Sequence, residues 1–493
     1  MEIFTIIKKI YPVAGGTEKH QRSGVNRKNR IYNETAATTK DKYHMTEKKQ
    51  IEIHTPAIHV TGIETEGCRQ FLGIPYAHAE RFHYAQMFRE YEDTLDATDF
   101  GSSCPQYRQF FPQLDNPERL FYYREFRKGL TFHYDEDCLN LNIFTPVNAE
   151  NCPVAVFIHG GGFNSGSNQE EPFRGYELAK RGIITVFINY RVGVFGYLTH
   201  SEIQREYGRD GNFGLDDQRT ALLWIRKFIS NFGGDPENIT LFGQSAGAIS
   251  IQYHCLNPAN TGLFKRVFMI SGAGLFPKFA LPRRAEDTRE YWLQLMEKAG
   301  CSSLPELRRV DAAAVLSAAQ EMKSERKDTL YNTMPVIDGV LLKKPVDELI
   351  SSPIRTDCMI SFTNNDMYAA LMAYIGCRYG RDNDAYICYF DQDAPGDNNG
   401  AFHSCDLRYL FGRLEQSWRP YTERDKEISR QLMDYFAAYA KTGDPNGEGR
   451  PDWQPCRNGK LHVLHIANDR TAMGKVSSMK LFVNMIRKGN PKA

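Results

Sequence analysis

The stretch "TLFGQSAGAIS", from Thr240 to Ser250, decides how this chain is read. Strand-favouring residues lead into Gly243-Gln244-Ser245-Ala246-Gly247, and small, helix-compatible residues follow. A strand that turns sharply into a helix pushes the intervening side chain out of the sheet, and flanking glycines let the turn close. Ser245 then sits at a helix N-terminus, where backbone N–H groups favour negative charge. A serine hydroxyl alone is a poor nucleophile. It needs a base, a group that orients the base, and donors for an oxyanion. One G-x-S-x-G is a weak signal in 493 residues, so the rest of the chain decides its meaning.

Around this corner the sequence alternates. Strand-like runs include "HVTGIE", "RQFLGI", "LNLNIFT", "VAVFIH", "ITVFINY", "RVFMIS", "CMISFT" and "YICYF". Several are continuously apolar, as a sheet covered on both faces requires. Helical runs lie between them. The clearest is "GLDDQRTALLWIRKFISNFGGDPENI", with Asp216 and Asp217 in its first turn and Gly233, Gly234 and Pro236 as its stop. Strand–helix–strand alternation implies an α/β fold with a mostly parallel sheet and helices on both faces. Residues 276–345 read mainly helical and are expected to cap the sheet. Residues 1–50 are polar and basic, without apolar periodicity, which predicts a flexible tail before a domain over 51–493. Met45 is a candidate start of the folded protein.

Composition excludes several classes. Hydrophobic residues at 41% and aromatics at 12% suffice for a large core and speak against wholesale disorder. A net charge of +1 lacks the basic excess of a nucleic-acid binder. No apolar run has the length of a membrane span, and the apolar stretch in "MEIFTIIKKIYPV" is too short for a secretory signal. The expectation is a soluble, cytoplasmic protein. Its 11 cysteines are then mostly reduced thiols in apolar space, and none has zinc-site spacing. No metal or organic cofactor is implied, and the oligomeric state is not legible.

The groups that Ser245 needs lie elsewhere. "VAVFIHGGGF" is a buried strand ending in His159-Gly160-Gly161-Gly162-Phe163. Consecutive glycines leave N–H groups uncovered. Those of Gly161 and Gly162, with that of Ala246, are candidate oxyanion donors, against the plainer alternative of a turn without chemistry. Among the histidines, His254 follows Ser245 by nine residues, roughly 13 Å along one helix and out of reach. His159 is expected to shape the glycine loop. His403, in "DNNGAFHSCDLRYLFG", lies in a loop after the strand "AYICYFD" and before a short helix, the edge where open α/β sheets hold their chemistry. His462 and His465 are rivals, but "KLHVLHI" alternates as a packed strand does. Asp366 stands near the strand–helix junction of "DCMISFTNNDMYAALMAY", on the edge that holds Ser245, with a plain helix cap as its other reading. Asp338 looks like part of a hairpin turn, and Asp357 opens its strand at the wrong end. The order Ser245, Asp366, His403 is nucleophile, acid, base, unlike the orders of the two main serine-protease folds.

With these residues in place, the chain resembles the type-B carboxylesterases, the cholinesterase-like branch of the α/β-hydrolases. Landmarks between about residues 55 and 485 are "FLGIPYA", "FGSSCPQ", "EDCLNLNIFTP", "HGGGF", "NYRVGVFGYL", "GNFGLDDQRTALLWI", "FGGDPENITLFGQSAGA", "LFKRVFMISG" and "AKTGDPN". The resemblance implies an α/β-hydrolase fold and ester hydrolysis through an acyl-enzyme. By it Ser245 is the nucleophile, His403 the base, and Gly161, Gly162 and Ala246 the oxyanion hole, while Asp366 falls where relatives usually carry Glu. It also matches Cys104 and Cys138 to the ends of a loop that secreted relatives close with a disulfide; a reduced pair is expected here. Three features depart from the family. Gln244 stands where relatives commonly have Glu, and no Trp lies between Cys104 and Cys138, where cholinesterases carry the aromatic that grips choline. Only 36 residues, 367–402, separate Asp366 from His403, fewer than is usual. The implied enzyme is a serine carboxylesterase whose partner is a small, mostly uncharged ester. The alternatives are a lipase-, thioesterase- or amidase-like hydrolase, and a non-catalytic interaction domain.

Overall fold

Runs such as Cys152–Ile158 and Ile184–Ile188 are apolar almost throughout because the sheet they enter is covered on both faces. The computed structural model describes residues 49–474, apart from 66, 107–116, 274–281, 327–331, 346–347, 350–351, 367–371, 373–375, 377, 379, 381–382 and 458–459. Most of the expected tail, residues 1–48, therefore lies outside the described residues, and Lys49 and Gln50 already belong to the first strand.

The main sheet has 13 strands. Twelve of them lie on one path: β1 (Lys49–His54), β2 (His59–Thr65), β3 (Cys68–Pro75), β4 (Asn140–Pro146), β5 (Cys152–Ile158), β6 (Ile184–Ile188), β7 (Gly234–Gln244), β8 (Arg266–Ile270), β9 (Asp357–Thr363), β10 (Ala385–Asp391), β11 (Val463–Ala467) and β12 (Thr471–Gly474). Their spatial order is β1-β2-β3-β4-β6-β5-β7-β8-β9-β10-β11-β12, and the short strand Leu95–Asp96 pairs with β2. From β6 through β11 every pairing is parallel, and the flanking pairs are antiparallel. The parallel centre aligns the C-terminal ends of β5, β7, β8, β9 and β10 along one edge.

Alternation assigns each side chain to a face. In β5, Val154, Val156 and Ile158 enter one core while Ala155 and Phe157 enter the other. Helices α1 (Phe213–Phe228) and α2 (Ala246–Leu256) bring Leu222, Trp224, Ile225, Ile249 and Ile251 to the first core. Within residues 276–345, the described part holds α3 (Arg289–Lys298), α4 (Leu304–Arg309) and α5 (Ala312–Glu325). After a short helix α6 (Asp406–Leu410), helix α7 (Glu423–Thr442) covers the second core with Ile428, Leu432 and Phe436. There the Phe157 and Phe242 rings lie 4.9 Å apart, and Phe242 and Phe436 4.7 Å.

Two local expectations change. Gly233, at φ 82°, does end the helical stretch, but Gly234 and Pro236 already belong to β7. Pro236 is tolerated because the β7–β5 register is interrupted between Gly234 and Ile239, where no ladder N–H is demanded. Asp216 stays in the first turn of α1 and accepts from Arg209, whereas Asp217 is buried in a two-pronged ion pair with Arg191. Among the described residues, no helix is long and apolar enough to cross a membrane.

Candidate active site

Ser245 occupies the corner between β7 and α2 with φ 56° and ψ −120°, outside the ordinary regions for a side-chain-bearing residue. Such a conformation costs about 1–3 kcal/mol and persists only where the surroundings enforce it. Its N–H donates to the Ile270 carbonyl at 2.8 Å, which pins the corner to the end of β8. A Cβ on Gly243 would lie 2.7 Å from the Ile158 carbonyl, and one on Gly247 would collide with the same oxygen. The two glycines thus let β7, α2 and the end of β5 approach one another.

Beyond Ile158, the chain enters the glycine loop. Gly161 and Gly162 take φ of 115° and 63°. Among the described residues, neither of their N–H groups donates a hydrogen bond. Ala246 is the first residue of α2, where an N–H has no partner within the helix. A Cβ on Gly160 would stand 3.1 Å from that of Ser245, so the loop lies against the serine corner. His159 shapes the loop as expected. Its ring stacks on Tyr190 at 4.4 Å, its Nδ1 is 2.9 Å from the Gly160 carbonyl, and burial pushes its pKa down to about 4. It is therefore neutral at physiological pH.

Asp366 follows the end of β9, and His403 follows β10. The Asp366 carboxylate accepts the Thr363 N–H at 2.7 Å through Oδ2 and meets His403 Nδ1 at 2.6 Å through Oδ1. The residues that would follow a helix cap, 367–371, lie outside the described residues. Asp366 is 1% exposed and His403 46%, so one side of the imidazole stays open to an incoming molecule. Burial pulls the His403 pKa down, but the Asp366 charge and hydrogen bond, with Asp406 farther off, outweigh it and raise the value above that of free imidazole.

The rivals are occupied elsewhere. His254 bonds Gln218 at 3.0 Å and Asn260 at 3.1 Å, and burial pushes its pKa down to about 3. His465 stacks on Tyr389 and contacts Asp391 at 3.2 Å on β10. Asp338 accepts the N–H groups of Val340, Leu341 and Leu342 in a turn, and Asp357 opens β9 and accepts the Asp384 N–H. Cys104 and Cys138 are free, buried thiols; a hydrogen bond that the protonated Cys138 makes to Cys104, together with burial, raises the Cys138 pKa.

Two neighbours of His403 were not anticipated. Gln244 Nε2 lies 2.9 Å from His403 Nε2, although the sequence pointed to Gln244 only as a missing anion. Asp406, in α6, is buried and accepts from Ser361 at 3.3 Å; burial, then the Asp366 charge, push its pKa up to about 7. The sequence signal for Asp406 was its place three residues after His403, at the start of the short helix that follows it.

The carboxylesterase family model matches residues 49–377 and 374–483, and this chain belongs to the carboxylesterase family. Para-nitrobenzyl esterase of Bacillus subtilis (strain 168) is 31% identical, over 79% of this chain and 89% of its own length. Cholinesterase of Mus musculus is 32% identical, over 76% of each chain. A solved PNB esterase structure superposes with a TM-score of 0.74 at 25% identity, covering 88% of this chain and 99% of its own. The fold is that of the α/β-hydrolases in their cholinesterase-like branch, and the protein is a carboxylic ester hydrolase.

Proposed function

We propose that the enzyme hydrolyses small, mostly uncharged carboxylic esters with Ser245 as nucleophile, His403 as general base and Asp366 as the carboxylate that orients it. The observation that carries this is the 2.6 Å contact between His403 Nδ1 and Asp366, set beside a serine held at φ 56° on the same sheet edge. In this mechanism Ser245 Oγ attacks the ester carbonyl while His403 Nε2 takes its proton, and the free N–H groups of Gly161, Gly162 and Ala246 receive the developing oxyanion. The imidazolium then protonates the departing alcohol. Water, deprotonated by the same imidazole, releases the acid from the acyl-enzyme. Asp366 keeps the proton on Nδ1 and stabilises the imidazolium.

Neutral substrates are favoured because Gln244 adds no negative charge beside the nucleophile, and because no Trp lies between Cys104 and Cys138. The free thiols of the ten described cysteines support a cytoplasmic location. An organophosphate is expected to label Ser245 stoichiometrically, and a folded Ser245→Ala enzyme to lose all but a trace of kcat. A panel of p-nitrophenyl esters, with a choline ester, a thioester and an anilide, ranks the substrate classes. Retained activity in Ser245→Ala refutes the nucleophile, and a strong preference for the choline ester refutes the neutral-substrate assignment.

A further inference from the structure

The nitrogen that must take the proton of Ser245 is already engaged. His403 Nδ1 faces Asp366 at 2.6 Å, and His403 Nε2 faces Gln244 Nε2 at 2.9 Å. Among the described residues, no hydrogen bond joins Ser245 Oγ to this imidazole. An amide nitrogen only donates, so Nε2 of the imidazole is the acceptor and the ring proton sits on Nδ1 toward Asp366. That is the neutral tautomer a general base requires. The other end of the amide, Oε1, lies against the glycine loop, 2.6 Å from where a Cβ on Gly160 would stand. Gln244 is buried, and its backbone lies in β7, hydrogen-bonded beside Ile270 of β8, so the side chain projects from a rigid base.

We infer that Gln244 is a positioning residue that holds His403 by Nε2 in the resting enzyme and surrenders that lone pair to Ser245 when an ester enters. The inference rests on the Ser245–His403 reading above. Two consequences follow. The amide bond stabilises neutral imidazole and so opposes the upward pull of the charged groups that face His403, which are Asp366 in contact and Asp406 beyond it. The same bond must also be broken before acylation, so it slows attack by as much as a typical neutral hydrogen bond, up to about tenfold. A carboxylate at this position would act in the opposite sense, favouring the imidazolium and withholding the base at neutral pH.

The test compares wild type with Gln244→Met, which keeps the length and removes the donor, and with Gln244→Glu. kcat/KM for a p-nitrophenyl ester and the second-order rate of organophosphate labelling are measured from pH 5 to 9. Gln244→Met is expected to raise the high-pH plateau of both rates by a few-fold to about tenfold and to move the acid limb to higher pH. Gln244→Glu is expected to move the acid limb further up. A Gln244→Met enzyme with an unshifted limb, whether its plateau is unchanged or lowered, overturns the inference. If Gln244→Met does not fold, the limb of Gln244→Glu alone decides, and an unshifted limb refutes it. His403→Ala and Ser245→Ala are run beside these. Activity retained by either removes the catalytic reading itself. Activity lost in both, with no shift in the Gln244 variants, removes only the role of Gln244.

Discussion

Asp217 and Asp366 are both buried carboxylates, and each holds a nitrogen base. Asp217 grips the Arg191 guanidinium through both oxygens, at 2.7 and 2.8 Å, and the two side chains are 0% and 3% exposed. It also accepts the Arg191 N–H at 3.1 Å, tying the chain that follows β6 to the start of α1. Asp366 is equally buried, but its partner is an imidazole that is 46% exposed. A guanidinium never releases its proton, so the first pair is permanent and serves as a rivet. An imidazole changes charge near neutral pH, so the second pair can pass a proton onward. The partner and its exposure, more than the carboxylate, separate scaffold from chemistry here.

Breaking the second pair is expected to have the larger effect on rate and little effect on the fold. Asp366→Asn allows the wrong imidazole tautomer and is expected to lower kcat by about 10⁴-fold, while thermal unfolding at neutral pH stays near that of wild type. Asp366→Glu recovers part of the rate, since the longer side chain pushes the imidazole off line. Near-normal kcat in the Asn variant would pass the role to another carboxylate.

Breaking the first pair reverses the pattern. Asp217→Ala strands the buried Arg191 charge and is expected to cost about 3–5 kcal/mol of stability in urea unfolding. The molecules that remain folded should keep close to their full kcat. A variant as stable as wild type would show that Arg191 finds other partners, such as the His83 carbonyl it already reaches at 2.8 Å.

The smallest effect sharpens the contrast through pH. The raised His403 pKa places the acid limb of kcat/KM above the ordinary imidazole value of about 6.5. A limb below that value would mean that burial outweighs Asp366. The sign for stability follows from the same shift. A group whose pKa is higher in the folded state stabilises the fold fully below its unfolded pKa, and loses that contribution as pH rises through the folded value. Asp366→Asn should therefore lower the unfolding temperature more at pH 5.5 than at pH 8.5.

Local signals made much of this legible. The apolar runs of β5, β6 and β8 announced a sheet covered on both faces, because a strand with one wet face would alternate. The serine corner was visible because the glycines that permit it are its immediate neighbours in sequence. Asp366 and His403 could be nominated from their places after strands, since the ends of parallel strands share an edge. Asp217, by contrast, looked like a first-turn acid, because nothing near it in the sequence announces Arg191, 26 positions away.

Sequence alone therefore determined the sheet class, the corner and the chain order of the candidate site, all of which depend on short-range pattern. Tertiary structure decided that Asp366 meets His403 rather than Asp338 or Asp357, and that Gln244 reaches the same imidazole across 159 positions. Those contacts exist only because the parallel register sets the ends of β7, β8, β9 and β10 side by side. A hydrogen bond is formed or lost within about half an ångström, a tolerance that strand pairing across the whole sheet supplies and that no local stretch of sequence encodes.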